Sequence, residues 1–174
     1  MTTLYLIRHP AVAVAPGICY GRSDVALKEP VDAVAMQLLG QLPAQFTLLS
    51  SPATRCLSLA NALGRPQIEP RLQEIDFGSW EMRGYASIER SLIDQWAADP
   101  LHFHAHGGES VAQMAARAIA ALHAALVQAP ENLVIVAHGG PLRALAGHWR
   151  GLADAAWVQL QFDYASLTRL TATD

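Results

Sequence analysis

The chain has 174 residues, 52% of them hydrophobic and 16% charged, with a formal net charge of −3. That length fits one domain, 1–174, with a sizeable core, and the apolar share excludes wholesale disorder. A slightly acidic balance argues against a dedicated nucleic-acid binder, which carries a basic face. No apolar run reaches membrane-spanning length. The N-terminus enters a strand without the charged and apolar regions of a signal peptide, so the expectation is a soluble cytoplasmic protein that acts at no membrane. Cys19 and Cys56 lie far apart, without CxxC or zinc spacing, and are expected as free thiols.

Residues 3–7 form a short apolar run with a β-branched residue and an aromatic, which reads as a buried strand. Arg8 and His9 follow, and Pro10 ends regular structure. Residues 11–26 contain Pro16-Gly17 and Gly21, lack a helical period and read as a long loop of functional character. From Pro30, the residues Val31, Val34, Ala35, Leu38 and Leu39 recur at helical spacing up to Gly40. Residues 46–49 read as a second strand, 53–63 as a helix and 67–69 as a third strand. Residues 85–98 read as one short helix with Ile88, Leu92, Ile93 and Trp96 inward, and 102–108 as a loop.

Ser110 and Gln113 have capping-box spacing ahead of an apolar helical stripe through Met114, Ala118, Leu122 and Leu126. Residues 133–137 are unbroken by polar side chains, as central parallel strands are. Pro141 suits the first turn of a helix that runs to about residue 149. Residues 157–171 alternate weakly and read as two edge strands. The alternation of strand and helix predicts an α/β class with a mostly parallel sheet. Neither a Walker-type phosphate loop nor a GxGxxG dinucleotide motif is present.

Two strand ends look alike. The first delivers Arg8-His9, and open α/β sheets bind ligands beyond the carboxyl ends of strands. The second delivers His138 onto Gly139-Gly140 and a helix N-terminus, whose N–H groups favour an anion. Arg55 falls near the first turn of its helix, where a cation opposes the helix dipole but suits a phosphate clamp; a solvated helix arginine is its alternative reading. Together these groups predict an anion-binding pocket.

Leu6-Ile7-Arg8-His9 resembles the Arg-His-Gly signature of the histidine phosphatase superfamily, the phosphoglycerate-mutase-like fold. Ser51-Pro52-Ala53-Thr54-Arg55 resembles its Ser-Pro-x-x-Arg motif, and residues 72–81 its acidic Leu-x-Glu-x-x-x-Gly-x-Trp-Glu segment. Gly107-Gly108-Glu109-Ser110 resembles the lead-in to a helix found there, and Val136-Ala137-His138-Gly139-Gly140 its second histidine motif. The five matches occur in the family's order across nearly the whole chain.

The resemblance implies a three-layer α/β sandwich with a mostly parallel central sheet and helices on both faces. It also implies a phosphoenzyme mechanism without metal or cofactor, acting on a small-molecule phosphate ester. His9 would become the phosphohistidine, with Arg8, Arg55 and His138 holding the phosphoryl oxygens and Gly139 at the helix start beside them. For this His9 must be neutral, and His138 serves better as a cation. Glu74 would protonate the leaving oxygen, Glu81 being the rival acid that otherwise braces the pocket. Arg22 lies on a loop expected to overhang the site, as a further substrate contact.

Residues 19–24 and the compact length resemble the α-ribazole phosphatase branch, which works in cobalamin synthesis. A mutase, a sugar-phosphate or phosphohistidine-protein phosphatase, and a non-catalytic phosphate sensor stay open. The sequence departs from the family where Pro10 and Met82 replace glycines, and at Ala11 and Ala13 in the first loop. His102, His104 and His106 alternate, but the loop is expected to be exposed and to bind no metal. The four tryptophans are expected in core and rim packing.

Overall fold

In the computed structural model, which describes residues 1–171, five strands form one sheet in the order β3-β2-β4-β1-β5. β1 (Thr3–Arg8) and β4 (Asn132–Ala137) lie in the middle and pair in parallel, from Thr3 against Asn132 to Arg8 against Ala137. β2 (Thr47–Ser50) runs parallel along the other side of β4, and β3 (Gln67–Ile68) parallel along β2. β5 (Leu167–Leu170) is antiparallel to β1 at the far edge. The register has one consequence for function. Because Arg8 stands beside Ala137, His9 and His138 leave adjacent central strands at the same height.

Successive strand side chains point to opposite faces, and both faces are covered. Tyr5, Ile7, Val134 and Val136 pack against α1 (Asp32–Leu39) and α2 (Thr54–Leu63) through Ala35, Leu38, Leu59 and Leu63. Leu4, Leu6, Leu133 and Ile135 pack against α4 (Val111–Leu126) and α5 (Gly139–Trp149) through Ala118, Leu122, Leu142 and Leu145. The result is the expected three-layer α/β sandwich, its parallel strands apolar on both faces because both are buried. The capping box is formed: Ser110 Oγ accepts from the Gln113 N–H, and the Gln113 side chain accepts from the Ser110 N–H. Both cysteines are free and buried.

Three stretches differ from expectation. Residues 85–98 are a 3-10 turn, Tyr85–Ser87, then an extended Ile88 and Glu89, and only then α3 (Arg90–Ala98). The Ser87 hydroxyl donates to the Gly84 carbonyl and closes the turn, while Ile88 turns into a cluster with Cys19 and Trp80. The stretch 157–171 holds one strand rather than two, preceded by the single-turn helix α6 (Asp154–Trp157). The carbonyls a second strand would need are taken by arginines: Leu160 accepts from Arg143 Nε at 2.7 Å and Phe162 from Arg8 Nη1 at 2.6 Å. The 11–26 loop is also stitched down, by bridges from Val12 to Leu27 and from Ile18 to Gly84. Met82 sits at φ 61, a conformation glycine adopts freely.

Candidate active site

The two histidines meet as the register requires, with ring centroids 5.2 Å apart. His9 Nδ1 lies 2.7 Å from its neighbour's carbonyl, that of Pro10. A carbonyl only accepts, so Nδ1 carries the proton and Nε2 is left with a free lone pair. Burial pushes the His9 pKa down to about 3; the bond to Pro10 works the other way, and the charges of Arg55 and Arg8 depress it further. His9 is therefore a neutral imidazole throughout the physiological range. His138 Nε2 is 2.7 Å from the Ser51 hydroxyl, and Cys56 Sγ lies against the same ring. Burial, then the charge of Arg55, holds the His138 pKa well below the ordinary value. Burial and the neighbouring arginines thus favour the neutral imidazole at His138, against the cation that would serve the phosphoryl group better. A bound dianion reverses the Coulombic part of that shift and favours the imidazolium.

Arg55 is 1% exposed, so the solvated reading fails. Its Nη1 and Nη2 donate to the carbonyls of Ser23 and Gly21, which ties the first loop over the site. Arg8 is held by the Phe162 carbonyl and lies 3.9 Å from the centroid of the Tyr164 ring, a cation–π contact. Among the described residues, three buried side-chain polar atoms lack a hydrogen-bond partner: Arg8 Nε, Arg55 Nε and Ser166 Oγ. Leaving a buried donor unpaired costs about 1–3 kcal/mol, more for a charged group. Two such donors on guanidinium groups beside His9 mark a place built for an anion. Gly139 sits against the Arg8 guanidinium. Arg22 is 60% exposed and pairs with Asp76 at 3.3 Å.

Glu74 and Glu81 have different surroundings. Glu74 Oε2 accepts from the Gly140 N–H at the start of α5, at 3.2 Å, and Oε1 from the Ile75 N–H. The carboxylate therefore stands at the helix N-terminus beside His138. A Cβ on Gly140 would overlap it, so any larger residue there forces the Glu74 carboxylate to move away from the helix start. Glu81 accepts from the N–H groups of Gly21, Arg22, Ser23 and Phe77 and from the Ser23 hydroxyl. Burial opposes its charge, but these hydrogen bonds hold its carboxyl below the usual range. A carboxylate with both oxygens so engaged braces the loop.

Several residues that build the site carried no assigned role in the sequence reading. Arg117 on α4 reaches Glu109 through two nitrogens, at 2.7 and 2.8 Å, and donates to the carbonyls of Arg71, Gln73 and Glu74. It fixes the backbone that carries Glu74. Tyr164 covers Arg8, lies 5.6 Å from the His9 ring and hydrogen-bonds Tyr20 across the loop. The local signal for Arg117 is a lone charge next to the apolar stripe; Tyr164 has none.

His106 is 3% exposed rather than in an exposed loop. Phe77, Trp80 and Phe103 surround its ring, and its Nδ1 accepts from the Gly108 N–H. His102 pairs with Asp99 on the surface. Among the described residues, no three His, Cys, Asp or Glu side chains are placed to share a metal ion, and no helix is long and apolar enough to cross a membrane.

The buried histidines make stability pH-dependent. An unfolded histidine takes up a proton near pH 6.5, whereas folded His9 does so only near 3 and His138 well below its ordinary value. Below pH 6.5 the unfolded chain binds more protons, so stability is full above that value and is lost as pH falls. Each such histidine costs about 1.4 kcal/mol per pH unit once below its unfolded pKa. Thermal melts from pH 7 to pH 5 are expected to show a steep fall in Tm, shallower in His9→Gln. A flat profile in the wild type would contradict the buried neutral pair.

Fold and site together define a phosphate-handling enzyme of the α/β class. A profile of the histidine phosphatase superfamily (branch 1) matches residues 4–174, and the chain belongs to that superfamily. It is 30% identical over 164 residues to the glucosyl-3-phosphoglycerate phosphatase of Mycolicibacterium vanbaalenii, covering 79% of this chain and 72% of that protein. It is 28% identical over 182 residues to a Hydrogenobacter thermophilus protein with the provisional name phosphoserine phosphatase 2, covering 98% of this chain and 89% of the relative. The solved α-ribazole phosphatase of Shigella flexneri superposes with a TM-score of 0.85 over 97% of this chain and 89% of that one. At 24% identity that likeness concerns the fold. The protein is an enzyme of the phosphatase kind.

Proposed function

We propose that the protein is a metal-independent phosphomonoesterase that forms and hydrolyses a phosphohistidine at His9. The observation that carries this is the pair of unpartnered, buried guanidinium nitrogens of Arg8 and Arg55 beside an imidazole whose proton is fixed on Nδ1. Nε2 of His9 attacks phosphorus, and the phosphorus–oxygen bond to the leaving alcohol breaks. Glu74, in its acid form, gives its proton to that oxygen. As a carboxylate it then takes a proton from water, which attacks the phosphohistidine and releases inorganic phosphate and free His9. Arg8, Arg55 and His138 meet the charge on the phosphoryl oxygens throughout, which is the main demand of phosphoryl transfer.

The same reading takes the partner to be a small-molecule ester rather than nucleic acid or membrane, and the location to be cytoplasmic. Within that class α-ribazole 5′-phosphate is the first substrate to test, on the likeness of residues 19–24 to that branch. Arg55 and Glu81 hold Gly21 and Ser23 of this loop, and its attachment to a site arginine supports a part for it in recognition. The test is phosphate release in chelator-treated buffer from α-ribazole 5′-phosphate, a sugar phosphate and a phosphohistidine protein. Turnover of a small ester is expected. Phosphoryl transfer that requires a bisphosphate primer would replace this reading with a mutase.

A further inference from the structure

A cavity of about 290 Å³ opens on the side of Glu74 and Gly140. That is the low end for small-molecule sites. Its walls are mostly apolar and aromatic, with Phe77, Trp96, Met114, Trp157 and Val158 among them, and its charged members are Glu74 and Arg143. The walls are fixed in advance. Trp157 is 6% exposed, and its indole N–H is already taken by Asp154, so the ring presents only apolar surface. It sits directly on Gly147 of α5, where a Cβ would overlap it. Met114 is buried at the start of α4. Arg143 is pinned by its Nε to the Leu160 carbonyl, and its terminal nitrogens make no hydrogen bond among the described residues.

Glu74 belongs both to this cavity and to the group around His9. If Glu74 protonates the leaving oxygen, the carbon skeleton on that oxygen must extend from Glu74 into space near its carboxyl. Two cavities border Glu74: the other, of about 210 Å³, is lined by Arg22, Glu109 and Arg117, whose charges are already paired with Asp76 and with one another, and the apolar cavity is the larger of the two. We infer that it receives the leaving alcohol, and that the preferred substrates are phosphate esters of compact, uncharged alcohols with an aromatic body. A zwitterionic alcohol, or a polyhydroxylated one that carries no aromatic ring, would have to shed its water against tryptophan, phenylalanine and methionine with few partners in return. An aromatic ring gains by the same burial and can lie against the free face of Arg143. The inference rests on the phosphatase reading and narrows its substrate class.

The experiment compares kcat/KM for 2-phenylethyl phosphate, ethyl phosphate, O-phosphoserine and glycerol phosphate in chelator-treated buffer. The leaving alcohols are of similar basicity, so differences report the pocket. The phenyl ester is expected to exceed ethyl phosphate by roughly 50-fold, the worth of burying one ring, and to exceed the two polar esters by at least as much. Trp96→Ala should cut the phenyl-to-ethyl ratio by about fivefold or more, chiefly through KM, with Trp96→Phe retaining most of it. Hydrolysis of all four esters without preference, or a preference for phosphoserine or glycerol phosphate, overturns the inference and leaves the phosphatase standing. An unchanged ratio in folded Trp96→Ala also overturns it. No hydrolysis by the wild type of these four esters or of α-ribazole 5′-phosphate overturns the phosphatase reading itself.

Discussion

His9→Ala is expected to lower kcat/KM for every phosphomonoester by at least roughly four orders of magnitude. The size of the effect follows from the geometry. With Nδ1 tied to the Pro10 carbonyl, Nε2 of the neutral, buried His9 ring carries a lone pair that no other group among the described residues engages, whereas His138 Nε2 is taken up with the Ser51 hydroxyl. Removing it leaves Arg8, Arg55 and His138 able to bind the ester but nothing to accept the phosphoryl group. Binding should persist: inorganic phosphate is expected to hold its affinity within about tenfold, since the guanidinium donors are untouched. A labelled phosphoryl group that is acid-labile and base-stable should appear on the wild type in rapid-quench experiments and be missing from the variant. The fold should survive, because a buried neutral histidine destabilises the protein in acid and alanine does not. A folded His9→Ala protein that keeps more than about 1% of wild-type turnover would remove the phosphohistidine from the mechanism.

The sandwich was legible because its two central strands run apolar and buried through residues 4–7 and 133–137 and its longest helix announces its start. The histidines and arginines were legible because strand ends and helix starts are local features, and Arg8-His9, Ser51 to Arg55 and His138-Gly139-Gly140 occupy them. What stayed hidden depends on partners remote in sequence. Arg8 is held by a carbonyl at |i−j| = 154, and that contact helps keep the 158–166 stretch out of the sheet. The burial of Arg55 follows from the Gly21 and Ser23 carbonyls closing over it, which no helical periodicity predicts. His106 belongs to an alternating histidine run that reads as solvent-exposed, and Phe77 and Trp80 from a distant segment close with the run's own Phe103 around it and bury it. The state of His138 depends first on its burial and then on the charge of Arg55, with Arg117 and Arg8 adding to it, once all are in place. The departures at Pro10 and Met82 fall on backbone rather than chemistry. Pro10 contributes a carbonyl, which any residue has, and Met82 takes a left-handed conformation at a cost of about 1 kcal/mol.

Glu74→Gln separates the two candidate acids by leaving group rather than by rate alone. A general acid matters in proportion to the basicity of the oxygen it protonates. The comparison is made in kcat/KM, which ends at cleavage of the bond to the leaving oxygen and so leaves out the later attack of water that Glu74 also assists: an alkyl phosphate should lose about 10³-fold, while p-nitrophenyl phosphate, whose leaving group needs no proton, should lose less than about tenfold. Glu81→Gln is expected to act differently. An amide keeps one of the two acceptor oxygens, so either the Gly21 and Ser23 N–H groups or those of Arg22 and Phe77 lose their acceptor and face an NH2 instead, and the substitution should lower Tm and slow both esters by the same factor. The glycine pair after His138 provides an independent test that leaves both carboxyl groups in the sequence. A methyl on Gly140 overlaps the Glu74 carboxylate and crowds Met114 Cε at 3.2 Å, whereas a methyl on Gly139 meets Arg8 Cζ at an ordinary 3.7 Å. Gly140→Ala should therefore reproduce the leaving-group signature of Glu74→Gln, by displacing the carboxyl from the helix N-terminus, and Gly139→Ala should stay within about threefold of wild type. Equal losses on both esters in Glu74→Gln would move the acid elsewhere. Wild-type turnover of the alkyl ester by Gly140→Ala would mean that the carboxyl need not stand where the α5 N-terminus holds it.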